Sequence, residues 1–196
     1  ANMSHELRTP LNSLLILARL LSDNKDGNLS AKQVEFAQTI LSSGSDLLSL
    51  INDVLDLSKV EAGKMAVNPT KVPIAEISEF VDRSFRPLAD QKGLEFKIEV
   101  QPDVPEKMYT DAQRVQQVLK NLLANSFKFT AKGSVRLTVR MAEKNRRFFS
   151  QTLNNAKGGV IALGVTDTGI GIPKDKQRLI FEAFQQADGS TSRKYG

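Results

Sequence analysis

Asp167-Thr168-Gly169-Ile170-Gly171-Ile172-Pro173 follows the apolar run Val160 to Val165 and precedes a helical stretch, which puts one carboxylate and two glycines in a strand-to-helix turn. Glycine adopts backbone conformations closed to other residues and lets a ligand approach the main chain, while the N–H groups of a following helix favour anions. The segment is not a P-loop, because no Gly-Lys-Ser/Thr follows, and it lacks the third glycine of a dinucleotide fingerprint. A tight turn without a ligand accounts for the same residues, so any site must draw on segments upstream. There the spacing predicts a helix from about Asp111 to Phe127, a strand through Val135, Leu137 and Val139, and a mostly buried strand over Val160 to Val165. Asn121 and Asn125 lie one helical turn apart, and Lys128 continues their face. Amide oxygens suit a hard Mg²⁺ ion that keeps several waters, and an ammonium neutralises phosphate oxygens; a satisfied polar helix face is the plainer reading of the three alone.

Further upstream, Pro73 opens an amphipathic helix through Ile77, Phe80, Val81 and Phe85, and Leu94, Phe96, Ile98 and Val100 alternate with charged residues as a strand. Helices and strands mix without a regular βαβ repeat, which predicts an α+β sandwich with helices on one sheet face. Residues 141–158, with Arg146-Arg147-Phe148-Phe149 and Asn154-Asn155, are polar and weakly patterned and read as a hairpin extension or mobile loop.

Before Gly63 the period is different. Leu7, Leu11, Leu14, Ala18 and Leu21 form a heptad seam, and a second seam runs through Val34, Leu41, Leu48 and Leu55 with Ala37, Gly44, Ile51 and Ser58 beside it. Turn formers at Asp23 to Asn28 separate two long helices, and Ser30 stands at the N-cap position of the second. Ile16, Ile40, Leu47, Val54 and Leu57 widen the stripes beyond what one helix pair covers, so two hairpins are expected to pair as a dimeric four-helix bundle. His5 precedes the seam and is expected to face solvent near Arg8, Thr9 and Asn12. Pro10 cannot donate to the carbonyl of Glu6, so the helix is expected to kink or loosen there. Imidazole has a reference pKa of about 6.5, and a carboxylate such as Glu6 accepting the Nδ1 proton leaves Nε2 as an oriented nucleophile. A lone histidine is also a common structural residue.

Composition removes several classes. The chain has 196 residues, one histidine and no cysteine, which excludes a disulfide framework, a cysteine nucleophile and a multi-histidine metal centre. No apolar run approaches membrane-spanning length, so no membrane contact by this segment is expected. Residues 1–63 carry a net charge of −3 and residues 64–196 one of +8. A basic second half points to an anionic ligand, but aromatic residues are only 6% and no stacking platform is visible, which speaks against nucleic acid.

Ser4-His5-Glu6-Leu7-Arg8-Thr9-Pro10-Leu11-Asn12 resembles the H-box of sensor histidine kinases. Phe36 to Ile40 and Asp56 to Lys64 resemble the second helix found in many hybrid kinases. Asn121 to Lys128 resembles the N-box, Asp167 to Pro173 the first glycine box and Phe181-Glu182-Ala183-Phe184 the F-box of the catalytic ATP-binding domain, a fold shared with type II topoisomerases and chaperone ATPases. The resemblance implies a dimerisation and phosphotransfer domain over 1–64 and an ATP-binding domain over 65–196. It implies that His5 accepts phosphate from ATP and passes it to an aspartate of a response regulator or receiver domain, that Glu6 assists as a base, and that Thr9 serves dephosphorylation. It also implies that Asp167 accepts a hydrogen bond from the adenine amino group, with Gly169 and Gly171 in the same box. Asn125 would bind Mg²⁺ with Asn121 in support, Lys128 would meet phosphate and Phe129 would pack near the base. Arg193 and Lys194 read equally as phosphate ligands from the lid and as a solvated basic pair.

In the chaperone and topoisomerase branches a glutamate stands where this chain has Asn121, and an amide cannot take a proton from water. The expected activity is therefore Mg-ATP-dependent autophosphorylation of a cytoplasmic homodimer, whose parent chain can be membrane-anchored. A catalytically inactive dimeric module that binds a response regulator is the alternative. Four residues precede His5, and the chain stops at Gly196, where the second glycine box is expected to begin. A domain fragment cut at both ends is the expectation, and the function belongs to the parent enzyme.

Overall fold

The computed structural model describes residues 2–143, 146–178 and 180, with the side chains of 2–5 and 7 left aside. The chain falls into two units, Ala1–Ala66 and Val67–Gly196.

In the first unit α1 (Asn2–Asp23) and α2 (Ala31–Glu61) form an antiparallel hairpin. The connection is built by its own side chains: Asn24, at φ 40°, donates from Nδ2 to the Leu29 carbonyl and accepts the Leu29 N–H. Ser30 caps α2 with a reciprocal capping box, its Oγ accepting the Gln33 N–H while Gln33 Oε1 accepts the Ser30 N–H. At the far end Gly63, at φ 62°, turns the chain, and the Lys64 N–H reaches back to the Lys59 carbonyl, a Schellman closure. α1 continues across Pro10 as an unbroken helix, where a kink or loosening was expected.

The inward row of α2 is the predicted one except at its end, with Ala37 and Gly44 buried, Val34, Leu41, Leu48, Ile51 and Leu55 half-buried, and Ser58 exposed. The row on α1 differs from the predicted seam. Leu14 and Leu21 are 45% and 49% exposed, while Leu15 turns inward so that its Cδ2 lies 2.8 Å from where a Cβ on Gly44 would stand. α1 carries two apolar stripes, and the small residues Ala37 and Gly44 on α2 select the one containing Leu11, Leu15 and Ala18 for the closer contact. Arg8, expected beside His5 on a solvent face, is half-buried and donates from Nη2 to Asn52 Oδ1 of α2 at 2.8 Å.

The second unit follows the order β1 (Thr70–Pro73), α3 (Ile74–Lys92), β2 (Glu95–Val100), β3 (Lys107–Thr110), α4 (Ala112–Phe129), β4 (Ser134–Met141), α5 (Gln151–Asn154) and β5 (Ile161–Asp167). β2 pairs parallel with β4, which pairs antiparallel with β5. The parallel pair needs a crossover, and α4 supplies it. Val135, Leu137 and Val139 point to one face and are fully buried beneath α3 and α4, while Arg136 between them is exposed. Phe127 joins the layers, stacked on Phe85 at 5.5 Å and edge-on to Phe96 at 5.3 Å. The expected sandwich with helices on one face is thus present. β1 and β3, which pair antiparallel, escaped sequence reading because each is four residues long and β1 ends in proline. β5 is half-buried rather than mostly buried, because among the described residues it lies at the sheet edge. In the 142–160 connection Asn154 accepts the Phe148 N–H and donates to the Phe148 carbonyl, which gives that stretch a local fold.

Phe127 is fully buried, so Phe127→Ala should destabilise the second unit by about 3–5 kcal/mol in chemical denaturation. Asp111 caps α4, its carboxylate accepting the N–H groups of Asn68 and Arg114, and these two bonds hold its pKa below the ordinary 3.8. With the folded pKa depressed, the cap contributes fully above that ordinary value and is lost as pH falls through the lower folded one. Asp111→Ala should therefore melt below the native chain at pH 7, and the gap should narrow as pH falls below the ordinary 3.8 and through the lower folded pKa.

Candidate functional site

α4 presents two faces. Leu119, Leu123, Ser126 and Phe127 are buried against the core, and Asn121, Asn125 and Lys128 are exposed along the other side. Spacings of four and three place those three polar groups in one row, as their sequence positions require. Lys128 Nζ lies 5.7 Å from the ring centroid of the half-buried Phe129.

The Asp167 turn meets the C-terminal end of this helix. Asp167 closes β5 opposite Val135. The Thr168 N–H donates to the Ser134 carbonyl, and Thr168 Oγ1 accepts the Ser134 N–H at 2.9 Å, which staples the turn to the start of β4. Asp167 Oδ1 accepts the Gly169 N–H at 2.9 Å, and Oδ2 accepts the hydroxyl of Ser126 at 3.2 Å. The Ile170 N–H donates to the Phe129 carbonyl at 3.3 Å. A Cβ on residue 169 would stand 2.5 Å from that same carbonyl oxygen, so glycine is required there by the backbone of α4 itself. Gly171 is different: at φ 68° it has open space around it and is needed for its conformation alone.

Asp167, Gly169 and Phe129 are thus brought together, with Asn125 and Lys128 on the same last turns of α4 and Asn121 one turn before them. Glu6 and Thr9 are exposed on α1 in the other unit, where His5 belongs to the same helix. The His5 side chain, Arg193, Lys194 and the Phe181 to Phe184 segment lie outside the described residues.

Two residues of the site were missed in the sequence. Ser126 is 7% exposed and Thr130 1% exposed, and both adjoin the turn. The signal was present: Ser126 falls on the face that periodicity assigns to the core, and a buried polar group needs a partner. Thr130 Oγ1 has none among the described residues and would lie 2.9 Å from a Cβ on Gly169.

The donor set fits a nucleotide with its metal. Asp167 is exposed and each of its oxygens keeps lone-pair capacity for an amine. Among the described residues no cluster of three His, Cys, Asp or Glu exists that could hold a metal unaided. Exposed Asn121 and Asn125 therefore suit an ion whose remaining ligands are phosphate oxygens and water, the usual condition of Mg²⁺.

Residues 1–63 match the His Kinase A (phospho-acceptor) domain, and residues 110–196 match the histidine kinase-, DNA gyrase B- and HSP90-like ATPase family. The chain is 40% identical over 196 residues to the signal transduction histidine-protein kinase BarA of Escherichia coli K12, covering 100% of this chain and 20% of BarA. It is 39% identical over 197 residues to hybrid signal transduction histidine kinase K of Dictyostelium discoideum, covering 100% of this chain and 16% of that protein. It therefore spans about a fifth or less of the length of these curated relatives. Among solved structures, full-length ShkA in complex with AMPPNP superposes with a TM-score of 0.74 at 35% identity, over 96% of this chain and 37% of that one.

The two glycines should respond differently to substitution. Gly169→Ala must push the turn away from the Phe129 carbonyl, which should cost about 1–3 kcal/mol and shift the Ile170 amide resonance. Gly171→Ala should cost about 1–2 kcal/mol of backbone strain and leave that resonance in place.

Proposed function

We propose, for a chain that belongs to the two-component sensor histidine kinases, that it forms the core of an ATP-dependent, autophosphorylating protein-histidine kinase. The observation that carries this reading is the hydrogen-bonded junction of the Asp167 turn with the end of α4, through Ser126 to Asp167 and Ile170 to Phe129. It gathers a carboxylate, two amides and an ammonium whose chemistries match base, metal and phosphate.

In this reading Asp167 accepts the adenine amino group, Phe129 flanks the base, Asn125 and Asn121 hold Mg²⁺ by their amide oxygens, and Lys128 meets phosphate. Gly169 and Gly171 shape the turn, and Arg193, outside the described residues, is a candidate phosphate ligand by resemblance alone. Bound Mg-ATP supplies the γ-phosphoryl group, with the metal offsetting its charge. His5 accepts that group on a ring nitrogen, and Glu6 holds the proton of the other, keeping the nucleophilic nitrogen oriented. Asn121, unable to act as a base, does not prepare water as a competing acceptor. Phosphohistidine then passes the group to an aspartate of a response regulator or receiver domain, and Thr9 serves the separate dephosphorylation, in which water takes the phosphoryl group and releases inorganic phosphate. ShkA, solved with AMPPNP at 35% identity, supports the nucleotide assignment.

The hairpin is proposed to dimerise. Leu14, Leu17 and Leu21 on α1 and Ile40, Leu47 and Val54 on α2 remain between 39% and 61% exposed. Taking such a side chain from full exposure to full burial contributes about 1.5–3 kcal/mol, and a second hairpin completing a four-helix bundle supplies the part, about half, that the single hairpin leaves unrealised. No helix among the described residues is long and apolar enough to cross a membrane, and the use of ATP places the proposed activity in the cytoplasm.

With γ-labelled ATP and Mg²⁺, the full-length protein should yield an acid-labile, base-stable phosphoprotein, and His5→Ala should abolish the label. Label surviving that substitution would sink the assignment. Asn125→Ala should reduce the rate by at least about tenfold without unfolding the hairpin, in line with the loss of one charge-stabilising contact. Sedimentation should show a dimer that Leu14→Asp combined with Leu47→Asp dissociates.

A further inference from the structure

We infer that Ser126 is a positioning residue that sets base selectivity, by holding the Asp167 carboxylate in the orientation that accepts an exocyclic amine and opposes a carbonyl. The inference rests on the nucleotide reading above and assigns it a specificity device.

Ser126 is 7% exposed, between Leu123 and Phe127, which are both fully buried. A hydroxyl in such surroundings is costly unless it is bonded, and this one donates to Asp167 Oδ2 at 3.2 Å. The other carboxylate oxygen, Oδ1, accepts the Gly169 N–H at 2.9 Å. The two donors come from different segments, one from α4 and one from the turn. Twisting the carboxylate about its Cβ–Cγ bond out of this plane therefore breaks both bonds, and only a half-turn, which exchanges two equivalent oxygens, restores them. The anchoring donors leave each oxygen with acceptor capacity only, since an ionised carboxylate has no proton to give. Asp167 is exposed, so that capacity is within reach of a ligand.

An adenine amino group donates to such a carboxylate. Guanine carries a carbonyl at the corresponding ring position, which would set lone pair against lone pair. Discrimination of this kind depends on the repulsive contact as much as on the attractive one, and it works only while the carboxylate is prevented from turning. With Ser126 removed, Gly169 alone anchors Asp167. ATP then loses the benefit of a prearranged acceptor, while the nucleotide with a carbonyl loses part of its penalty.

The test measures binding of Mg-ATP and Mg-GTP by calorimetry to this chain, to Ser126→Ala and to Ser126→Thr. Alanine is a strong helix former and keeps α4 intact. Ser126→Ala should weaken ATP binding by about 3- to 10-fold, the worth of one hydrogen bond, and should narrow the ATP to GTP ratio by at least that factor. Ser126→Thr, which keeps the hydroxyl, should restore the ratio. In the absence of nucleotide, Ser126→Ala should also speed hydrogen exchange of the Gly169 amide, because its carboxylate acceptor is released. An unchanged ratio together with unchanged Gly169 exchange overturns the proposal. Failure of the native chain to bind either nucleotide overturns the nucleotide reading, and Gly169 exchange then decides the positioning role by itself.

Discussion

A Cβ on residue 169 would approach the carbonyl oxygen of Phe129 to 2.5 Å, and that absent atom governs how the second unit is put together. Because it is missing, the turn after β5 lies against the last turn of α4, the Ile170 N–H reaches the Phe129 carbonyl, and the Asp167 carboxylate comes within reach of Ser126. Helix C-termini leave carbonyls without partners. Here the Ile170 N–H takes up the one at Phe129, and the Lys92 ammonium at the end of α3 takes up that of Phe127 at 2.7 Å. The polar row of α4 is thereby fixed relative to the carboxylate by contacts at the end of the helix, while the packing of Phe127 against Phe85 and Phe96 fixes it from below.

Elements bounded by strong local chemistry were readable from residues alone. Ser30 caps the helix it precedes, the period changes at Gly63 where α2 ends, and the alternation of Val135, Leu137 and Val139 matches the buried face of β4, whereas the Asp111 cap and the left-handed Gly93 emerged only in the structure. What escaped depended on contacts distant in sequence. α1 has two apolar stripes of similar strength, and only the small residues Ala37 and Gly44 of the opposite helix decide which one turns inward. β1 and β3 are too short for a period to be seen, and each gains its partner only from the other. Asp167 and the α4 row were legible as chemistry, whereas Ser126 and Thr130 became part of the site only when the turn closed on them. A serine on a buried helix face was nonetheless a readable demand for a partner, and Asp167 answers it.

The two units solve different packing problems. The second encloses its own core, with Val81, Leu123, Phe127, Val135, Leu137 and Val139 all at 0% exposure. The hairpin does not: among its described residues the most buried apolar ones are two alanines at 3%, and much of its leucine remains outside. A pair of helices has too little surface facing inward to shelter side chains on all sides. The two segments differ in net charge along the same division, −3 for residues 1–63 and +8 for residues 64–196.

The bond from Arg8 to Asn52 fixes an angle as well as a distance. A helix turns about 100° per residue, so the backbone at His5 lies about 60° in azimuth from that at Arg8. Anchoring Arg8 to α2 therefore sets the rotational phase at which α1 presents position 5, as a keyway sets a shaft. The anchor falls inside the stretch from Glu6 to Pro10, where proline removes one backbone hydrogen bond. Beside that missing bond, in a helix that nonetheless runs unbroken, the rotation of α1 is held from the neighbouring helix as well.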